Sequence, residues 1–349
     1  MKTEKLQFNL PAELIAQQPL AVRSDSRLLI LSRSDGSIQD GIFEKIGDFL
    51  SPGDCLVLND TKVIPARFFG KRNTGAKLEG LFLSSDTELT WIVQLKGLRK
   101  IKTAEKIILK DKHKKDFCLA ELIEKNEDGL CKLKLIIQSD TETILENIGF
   151  PPLPPYIKRD DNYQIAKIDK NRYQTIYADK TGAIAAPTAG LHFTVELIEK
   201  LKKTGISFAN VTLHVGAGTY KPVTSEILED HEIHSEYFSI DEKNAGIIND
   251  AKNKGGRIIP VGTTSTRVLE SIASNSRVQA ANGSTKLFIT PGYQFKITDA
   301  IITNFHLPKS TLLALVAAFA GLDNILTAYK HAVQQRYRFY SYGDAMLLI

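Results

Sequence analysis

Strands that alternate with helices in the second half of the chain constrain its fold more than any other sequence feature. Residues 206–213 are predicted to form a strand after a helix. Residues 257–261 and 300–303 are predicted strands that precede helices over about residues 264–273 and 309–320. This alternation is typical of an α/β layered sheet, in which ligands bind at the carboxyl ends of the strands. Pro260 makes its strand an edge or weakens the prediction there.

Residues 68–138 follow a different pattern, with short segments rich in β-branched and aromatic residues that turn or charge clusters separate. This pattern predicts a small antiparallel β-barrel or sandwich. Pro65 and the prolines of residues 151–155 mark its two ends, because proline stiffens a crossing segment. We therefore predict an α/β domain with a mixed sheet (residues 1–66 and 151–349) and an inserted antiparallel β-barrel domain (residues 67–150).

Composition limits the class of protein. The chain has 349 residues, of which 43% are hydrophobic and 24% charged, which is ordinary for a globular protein of two domains. The longest apolar run, residues 312–320, is too short to span a bilayer, and the N-terminus does not resemble a signal peptide. The three cysteines show no CxxC spacing, which argues against a disulfide framework or structural zinc. We expect a cytoplasmic protein with no membrane partner.

The net charge of +5 is unevenly distributed, because residues 96–115 contain nine Lys and Arg against Glu105 and Asp111. Within this segment we call Arg99, Lys100, Lys102 and Lys106 the basic strip. A local basic surface suits a phosphate backbone. The alternative is a solvated lysine face on a hairpin.

Three glycine- and hydroxyl-rich loops are candidates for ligand binding. Residues 182–194 (GAIAAPTAGLHFT) precede a predicted helix over residues 195–203, with Thr194 as N-cap and Gly205 after its end. Residues 213–219 (LHVGAGT) lack the third glycine of a dinucleotide fingerprint. Residues 262–267 (GTTSTR) place hydroxyls at a helix N-terminus, which favours an anion. The alternative for the first loop is a tight turn with a packed histidine, for the second a plain turn, and for the third simple N-capping.

Histidines recur in the loops after the predicted strands, namely His192, His214 and His306. Histidine transfers protons near neutral pH, although each ring could equally be structural. His231, His234 and Glu236 form an H-x-x-H-x-E pattern, for which we favour acid–base chemistry or substrate binding over zinc and predict no metal site. Residues 336–342 alternate Arg with aromatic residues. This pattern fits either stacking on RNA bases or a core strand with its Arg side chains outward.

Ordered sequence blocks identify a family. They include CLVLNDTKVIPARF (55–68), PPLPPYIKR (151–159), TLHVGAGTYKPV (212–223), HEIHSEYF (231–238), IPVGTTSTRVLESIA (259–273) and RYRFYSYGDAMLL (336–348). Together they resemble the S-adenosylmethionine:tRNA ribosyltransferase-isomerases of queuosine biosynthesis over essentially the whole chain, most weakly over about residues 70–148. Two departures are Tyr220, where most members have Phe, and Gly80, where a branched apolar residue is usual.

The resemblance implies that the ribosyl part of S-adenosylmethionine is transferred to 7-aminomethyl-7-deazaguanine at the tRNA wobble position and isomerised, releasing adenine and methionine. It also implies that S-adenosylmethionine is a cosubstrate and that no further cofactor is needed. The partner would be the tRNA anticodon stem-loop, and the enzyme would be a monomer. A non-catalytic RNA-binding protein and an S-adenosylmethionine-dependent RNA methyltransferase are the alternatives.

The resemblance and the patterns above together give three sets of candidate site residues. The catalytic set is His192, His234, Glu236 and His306. The S-adenosylmethionine set is Thr188, Gly190, His214, Gly216, Gly218, Thr263, Thr264 and Asn304. The tRNA set is Arg67, Arg99, Lys100, Lys102, Lys106, Lys158, Arg172, Arg267, Arg336 and Arg338.

Overall fold

A computed structural model describes residues 1–87, 89–126, 129–159, 163–216 and 223–349, without the side chains of residues 87 and 163–167. The chain divides into two compact units. The first unit comprises Met1–Lys62, Pro155–Lys158 and Gln174–Ile349, and the second comprises Val63–Pro154 and Arg159–Tyr173. The domain boundaries at residues 67 and 150 stay a prediction.

The strands in chain order are β1 (Arg27–Leu31), β2 (Ile38–Ile42), β3 (Cys55–Asn59), β4 (Thr61–Val63), β5 (Arg67–Arg72), β6 (Lys77–Thr87), β7 (Thr90–Leu95), β8 (Lys106–Lys110), β9 (Asp116–Lys125), β10 (Leu130–Ile136), β11 (Lys180–Ala183), β12 (Ser207–Leu213), β13 (Glu236–Ile240), β14 (Ile258–Pro260), β15 (Ala281–Thr285), β16 (Ile301–Asn304) and β17 (Ala345–Leu348). The helices are α1 (Thr141–Ile148), α2 (Tyr163–Arg172), α3 (Val195–Lys203), α4 (Glu242–Asn253), α5 (Thr263–Ile272), α6 (Thr311–Ala320) and α7 (Leu322–Gln334).

The first unit is built on mixed sheets, which confirms the predicted α/β class. One sheet has the order β14-β3-β12-β13-β15, with β14, β3 and β12 parallel and the rest antiparallel. The other has the order β16-β17-β1-β2. A parallel bridge between Val261 and Ile302 joins β14 to β16 beyond the end of β14. The carboxyl ends of β12, β14 and β16 therefore share one edge, as the sequence predicted.

Alternating side chains bury both faces of these sheets. Cys55 and Val57 of β3 pack with residues of α4 and α5, whereas Leu56 and Leu58 pack with Leu197 of α3 and its neighbours. This two-residue period is the one that an extended strand imposes. Pro260 pairs with β3 on one side, which fits the edge position expected for a proline.

Helix ends in the first unit follow the sequence signals closely. Thr194 caps α3 by accepting a hydrogen bond from the Leu197 amide, and Gly205 follows the helix with a φ of 86°. Both predictions are confirmed. Among the described residues no single helix is long and apolar enough to cross a membrane, and only α6 and α7 together, bent by 114°, meet those criteria.

The second unit contains a closed antiparallel barrel with the strand order β10-β7-β6-β5-β8-β9, which confirms the predicted barrel. Trp91 is fully buried in it and packs edge-on against Phe68 and Phe82. Asp140 caps α1. Helix α2 was not predicted from the sequence.

Candidate active site

A pocket opens at the shared carboxyl edge of β14 and β16. Its cavity measures about 60 Å³. Five residues of the predicted sets line it: Thr188, Thr263, Thr264, Asn304 and His306. Tyr156, Ser310, Tyr340 and Ser341 also line it and belong to none of the three predicted sets.

The N-terminus of α5 forms one wall of the pocket. Gly262 is its N-cap residue, with a φ of 91° and no side-chain cap. The neighbouring hydroxyls therefore do not cap the helix. The Ser265 and Thr266 hydroxyls instead donate to the carbonyls of Val261 and Gly262. Thr263 and Thr264 line the pocket. Since the first N–H groups of a helix lack intrahelical partners, this wall favours an anion.

The Asn304 side chain at the end of β16 has a fixed orientation. Its Nδ2 donates to the Tyr340 carbonyl over 3.1 Å and lies 3.2 Å from Nε2 of His192. A carbonyl can only accept, so the amide nitrogen must be on that side. The amide oxygen, Oδ1, is buried without a hydrogen-bond partner among the described residues. An unpaired buried acceptor is costly, and a ligand that donates to it would remove that cost.

His192 lies behind Asn304, within the 3₁₀ helix Thr188–His192. Its Nε2 accepts from Asn304, so Nδ1 carries the proton and donates to the Ser26 hydroxyl over 2.8 Å. Burial, together with the charges of Arg23 and Arg338, lowers the pKa of His192 to about 3. His192 is therefore neutral near pH 7, and both ring nitrogens are engaged within the protein.

His306 lines the pocket and is also buried. Its Nε2 lies 2.8 Å from the Thr303 hydroxyl, and its amide donates to the Tyr329 hydroxyl. Burial lowers the pKa of the His306 ring to about 3. At neutral pH the His306 ring is therefore neutral, so it can accept a proton but cannot act as a cationic acid.

The loop after β12 is held by neighbouring strands. His214 Nδ1 lies 2.7 Å from the Thr61 hydroxyl, its ring stacks on Tyr237, and burial lowers its pKa. Asn59 accepts from the Leu213 amide and donates to the Thr264 hydroxyl, which ties β12 to α5. Val215 of this loop lines the pocket.

A buried ion pair fixes the next part of that loop. Glu236 pairs with Arg267, and both side chains are at least 90% buried. The other Glu236 oxygen accepts from the Gly216 amide over 3.1 Å. Nη2 of Arg267 is buried without a hydrogen-bond partner among the described residues. Gly218, predicted to bind S-adenosylmethionine, lies outside the described residues.

The remaining residues of the catalytic and S-adenosylmethionine sets, Gly190 and His234, are not among those that line the pocket. Gly190 packs so tightly that a Cβ there would lie 2.0 Å from the Tyr177 hydroxyl oxygen. His234 is exposed and is not among the described residues that line the pocket. No group of three or more His, Cys, Asp or Glu within the described residues could hold a metal ion.

The tRNA set divides by exposure. The basic strip, Lys158 and Arg336 are exposed, Arg67, Arg172 and Arg338 are half-buried, and Arg267 is buried. No member of the basic strip forms an ion pair with a described residue. Tyr337 and Phe339 are fully buried in the hydrophobic core, so neither ring is free to stack on a base. Residues 336–342 do not form the core strand that the alternative predicted, because Phe339 makes only an isolated bridge to Ile15.

Ser26 and Asn59 are functional candidates that were not predicted from the sequence. Ser26 is 166 residues from His192, and Asn59 is 205 residues from Thr264. One signal was available: a polar Asn directly after the apolar run of β3 stands where parallel strands present ligand groups.

Comparison with known proteins identifies the family. A sequence model of the family described as Queuosine biosynthesis protein matches residues 3–348. The S-adenosylmethionine:tRNA ribosyltransferase-isomerases of Caldanaerobacter subterraneus subsp. tengcongensis and Halothermothrix orenii are 47% and 48% identical, with 100% of each chain covered. A crystal structure of S-adenosylmethionine tRNA ribosyltransferase from Thermotoga maritima is 37% identical, with a TM-score of 0.56 over 99% of this chain and 100% of that chain. The chain therefore belongs to the S-adenosylmethionine:tRNA ribosyltransferase-isomerase family of queuosine biosynthesis.

Proposed function

We propose that this enzyme transfers the ribosyl moiety of S-adenosylmethionine to 7-aminomethyl-7-deazaguanine at the wobble position of tRNA and isomerises it to an epoxycyclopentanediol. Adenine and methionine leave. The family membership supports the reaction class, and the pocket at the edge of β14 and β16 supports the location of the site. We further propose that it acts as a cytoplasmic monomer and needs no other cofactor.

The observation that carries the location is the pairing of opposite polarities in one small cavity. The uncapped N-terminus of α5 and the two threonine hydroxyls suit a carboxylate. The unpaired Oδ1 of Asn304 suits a donor such as an ammonium group. A cavity of about 60 Å³ has room for a small polar group. We infer that the α-carboxylate and α-ammonium of the methionine moiety bind here.

His192 is then a positioning residue rather than an acid or base. Its neutral ring connects Ser26 to Asn304 and holds the amide so that Oδ1 faces the ligand. A charged ring would have no lone pair for Asn304 and would stand beside Arg23 and Arg338. The same neutrality avoids repulsion of a cationic sulfonium ligand.

The reaction needs a base for the ribose 5′ carbon, an unprotonated aminomethyl nucleophile and a proton for the departing adenine. His306 is our candidate acceptor, because its neutral ring lines the pocket. Glu236 we place in a positioning role, because it holds the Gly216 amide and Arg267. His214 and His234 remain proposed contributors from the neighbouring loops. Arg267, predicted for tRNA, we reassign to this internal pair because it is buried.

Product analysis tests the proposal. Purified enzyme, S-adenosylmethionine and tRNA carrying 7-aminomethyl-7-deazaguanine should yield free adenine and methionine, resolved by chromatography. Asn304→Ala should raise the KM for S-adenosylmethionine by about tenfold or more, since it removes a buried hydrogen bond to a charged group. Asn282→Ala, at an exposed position of β15, is the matched control. S-adenosylhomocysteine as product would show a methyltransferase, and tRNA binding without turnover would show a binding protein.

A further inference from the structure

A second cavity, of about 310 Å³, lies within the second unit. That size falls in the range of about 300 to 1,000 Å³ typical of ligand sites. Two half-buried aromatic rings, Phe69 and Phe150, meet edge-to-face at 5.3 Å and form an apolar wall with Leu78 and Leu153. Seven cations and two acids line most of the rest: Arg67, Lys71, Lys77, Lys110, Lys112, Lys114 and Arg159, with Asp111 and Asp169.

Five of these seven cations have acidic partners. The pairs are Arg67 with Glu79, Lys71 and Lys110 with Asp116, Lys112 with Glu146, and Arg159 with Asp169. Lys77 and Lys114 form no ion pair with any residue that the structure describes. These two exposed lysines are therefore the lining groups whose charge is free to neutralise an anion.

Both lysines are carried by ordered turns. Lys114 has a φ of 64°, and its turn is fixed by Asp111, whose carboxylate accepts from the amides of His113 and Lys115 over 2.8 Å. Lys77 opens β6 after a turn closed by the Arg72 and Gly75 amides. A non-glycine residue in the left-handed region is uncommon. The two charges thus stand at defined positions around the aromatic wall.

We propose that this cavity binds one unstacked nucleotide of the tRNA, with its base against Phe69 and Phe150 and its flanking phosphates on Lys77 and Lys114. The inference rests on the proposed function, because it names a subsite for that substrate. Aromatic faces beside cations are what single-stranded RNA requires. The cavity is separate from the basic strip: Lys106 and Lys110 stand at opposite ends of β8, about 13 Å apart at strand spacing.

Binding experiments without S-adenosylmethionine test the subsite independently of catalysis. Filter binding would compare wild type, Phe69→Leu, and a double variant, Lys77→Ala with Lys114→Asn, in which Asn tolerates the left-handed turn. Lys134→Ala, at an exposed position of β10 on the same barrel, is the control. The ligands are precursor tRNA and copies with a single abasic nucleotide at successive positions. Trp91 fluorescence on heating checks that each barrel is folded.

We expect Phe69→Leu to weaken tRNA binding by at least about fivefold and the double variant to flatten the salt dependence by about two slope units. At one position, the abasic substitution should weaken the binding of tRNA to wild type but should not change its binding to Phe69→Leu. Any of three results would overturn the proposal. The losses from the abasic nucleotide and from Phe69→Leu could add at every position, the double variant could keep the wild-type salt slope, or free AMP could bind as tightly as the tRNA.

Adenine release separates the two proposals. If wild type binds as expected but releases no adenine, the proposed function fails and the subsite stands. If adenine is released and the binding pattern is absent, the subsite alone fails.

Discussion

Two buried neutral histidines should make the first unit sensitive to acid well above the pH at which most carboxylates titrate. The pKa values of His192 and His306 are about 3 in the folded chain, against 6.5 for a free histidine. The unfolded chain therefore takes up protons first as the pH falls. Between about pH 7.5 and pH 5, linkage gives a loss of about 2 kcal/mol of unfolding free energy for each ring. The two together would remove a large fraction of a typical domain's stability.

The assay is urea unfolding at both pH values, followed by circular dichroism for the helices of the first unit. Trp91 is the single tryptophan and lies in the barrel, so its fluorescence reports on the second unit, whose one histidine, His113, is exposed. His306→Asn should be less stable than wild type at pH 7.5 but lose about 2 kcal/mol less on acidification. His113→Gln is the matched control. Parallel pH profiles for wild type and His306→Asn would refute the reasoning.

Other substitutions give independent tests. Gly190→Ala should strongly destabilise the fold, because its Cβ would meet the Tyr177 hydroxyl oxygen at 2.0 Å, and adding Tyr177→Phe should restore part of the melting temperature. Glu236→Gln should cost about 3 to 5 kcal/mol by leaving Arg267 buried and unpaired, whereas a purely catalytic Glu236 would lower turnover at unchanged melting temperature. Alanine at all four positions of the basic strip should raise the KM for tRNA and flatten its salt dependence by roughly one slope unit per lost phosphate contact; an unaltered slope would make the strip a solvated hairpin face.

The sheet edge was predictable from sequence because its signals are local. Strand–loop–helix alternation placed β14 and β16 within a residue or two of their observed ends, and Thr194 and Gly205 fixed the ends of α3. Once parallel strands are recognised, the location of their carboxyl ends follows from topology alone. Of the hydroxyls and histidines selected on that basis, the structure brings Thr263, Thr264 and His306 to one pocket.

Burial and partner choice were not predictable, because they depend on contacts between distant segments. Arg267 was predicted to contact tRNA, yet the sequence could not show that Glu236, 31 residues away, would pair with it inside the protein. Gly80 was noted as a departure from the family, and its cause is tertiary: a Cβ there would lie 2.2 Å from the ring of Phe68. The ring of Phe68 on β5 thus limits the side-chain volume at position 80 on β6.

The neutrality of the site has a consequence for the order of proton transfers. A group with a pKa near 3 is neutral at pH 7 and can act only as an acceptor, so His306 cannot supply the proton that adenine needs at the start of the reaction. If His306 removes the proton from the ribose 5′ carbon, it becomes charged inside the pocket and is then a strong acid. The proton that adenine takes would in that case be the one removed earlier. Single turnovers in deuterium oxide with unlabelled S-adenosylmethionine should then release adenine, followed by rapid quench, at the same rate as in water, because the transferred proton comes from the cosubstrate. A several-fold slower release in deuterium oxide would show that solvent or another side chain delivers the proton.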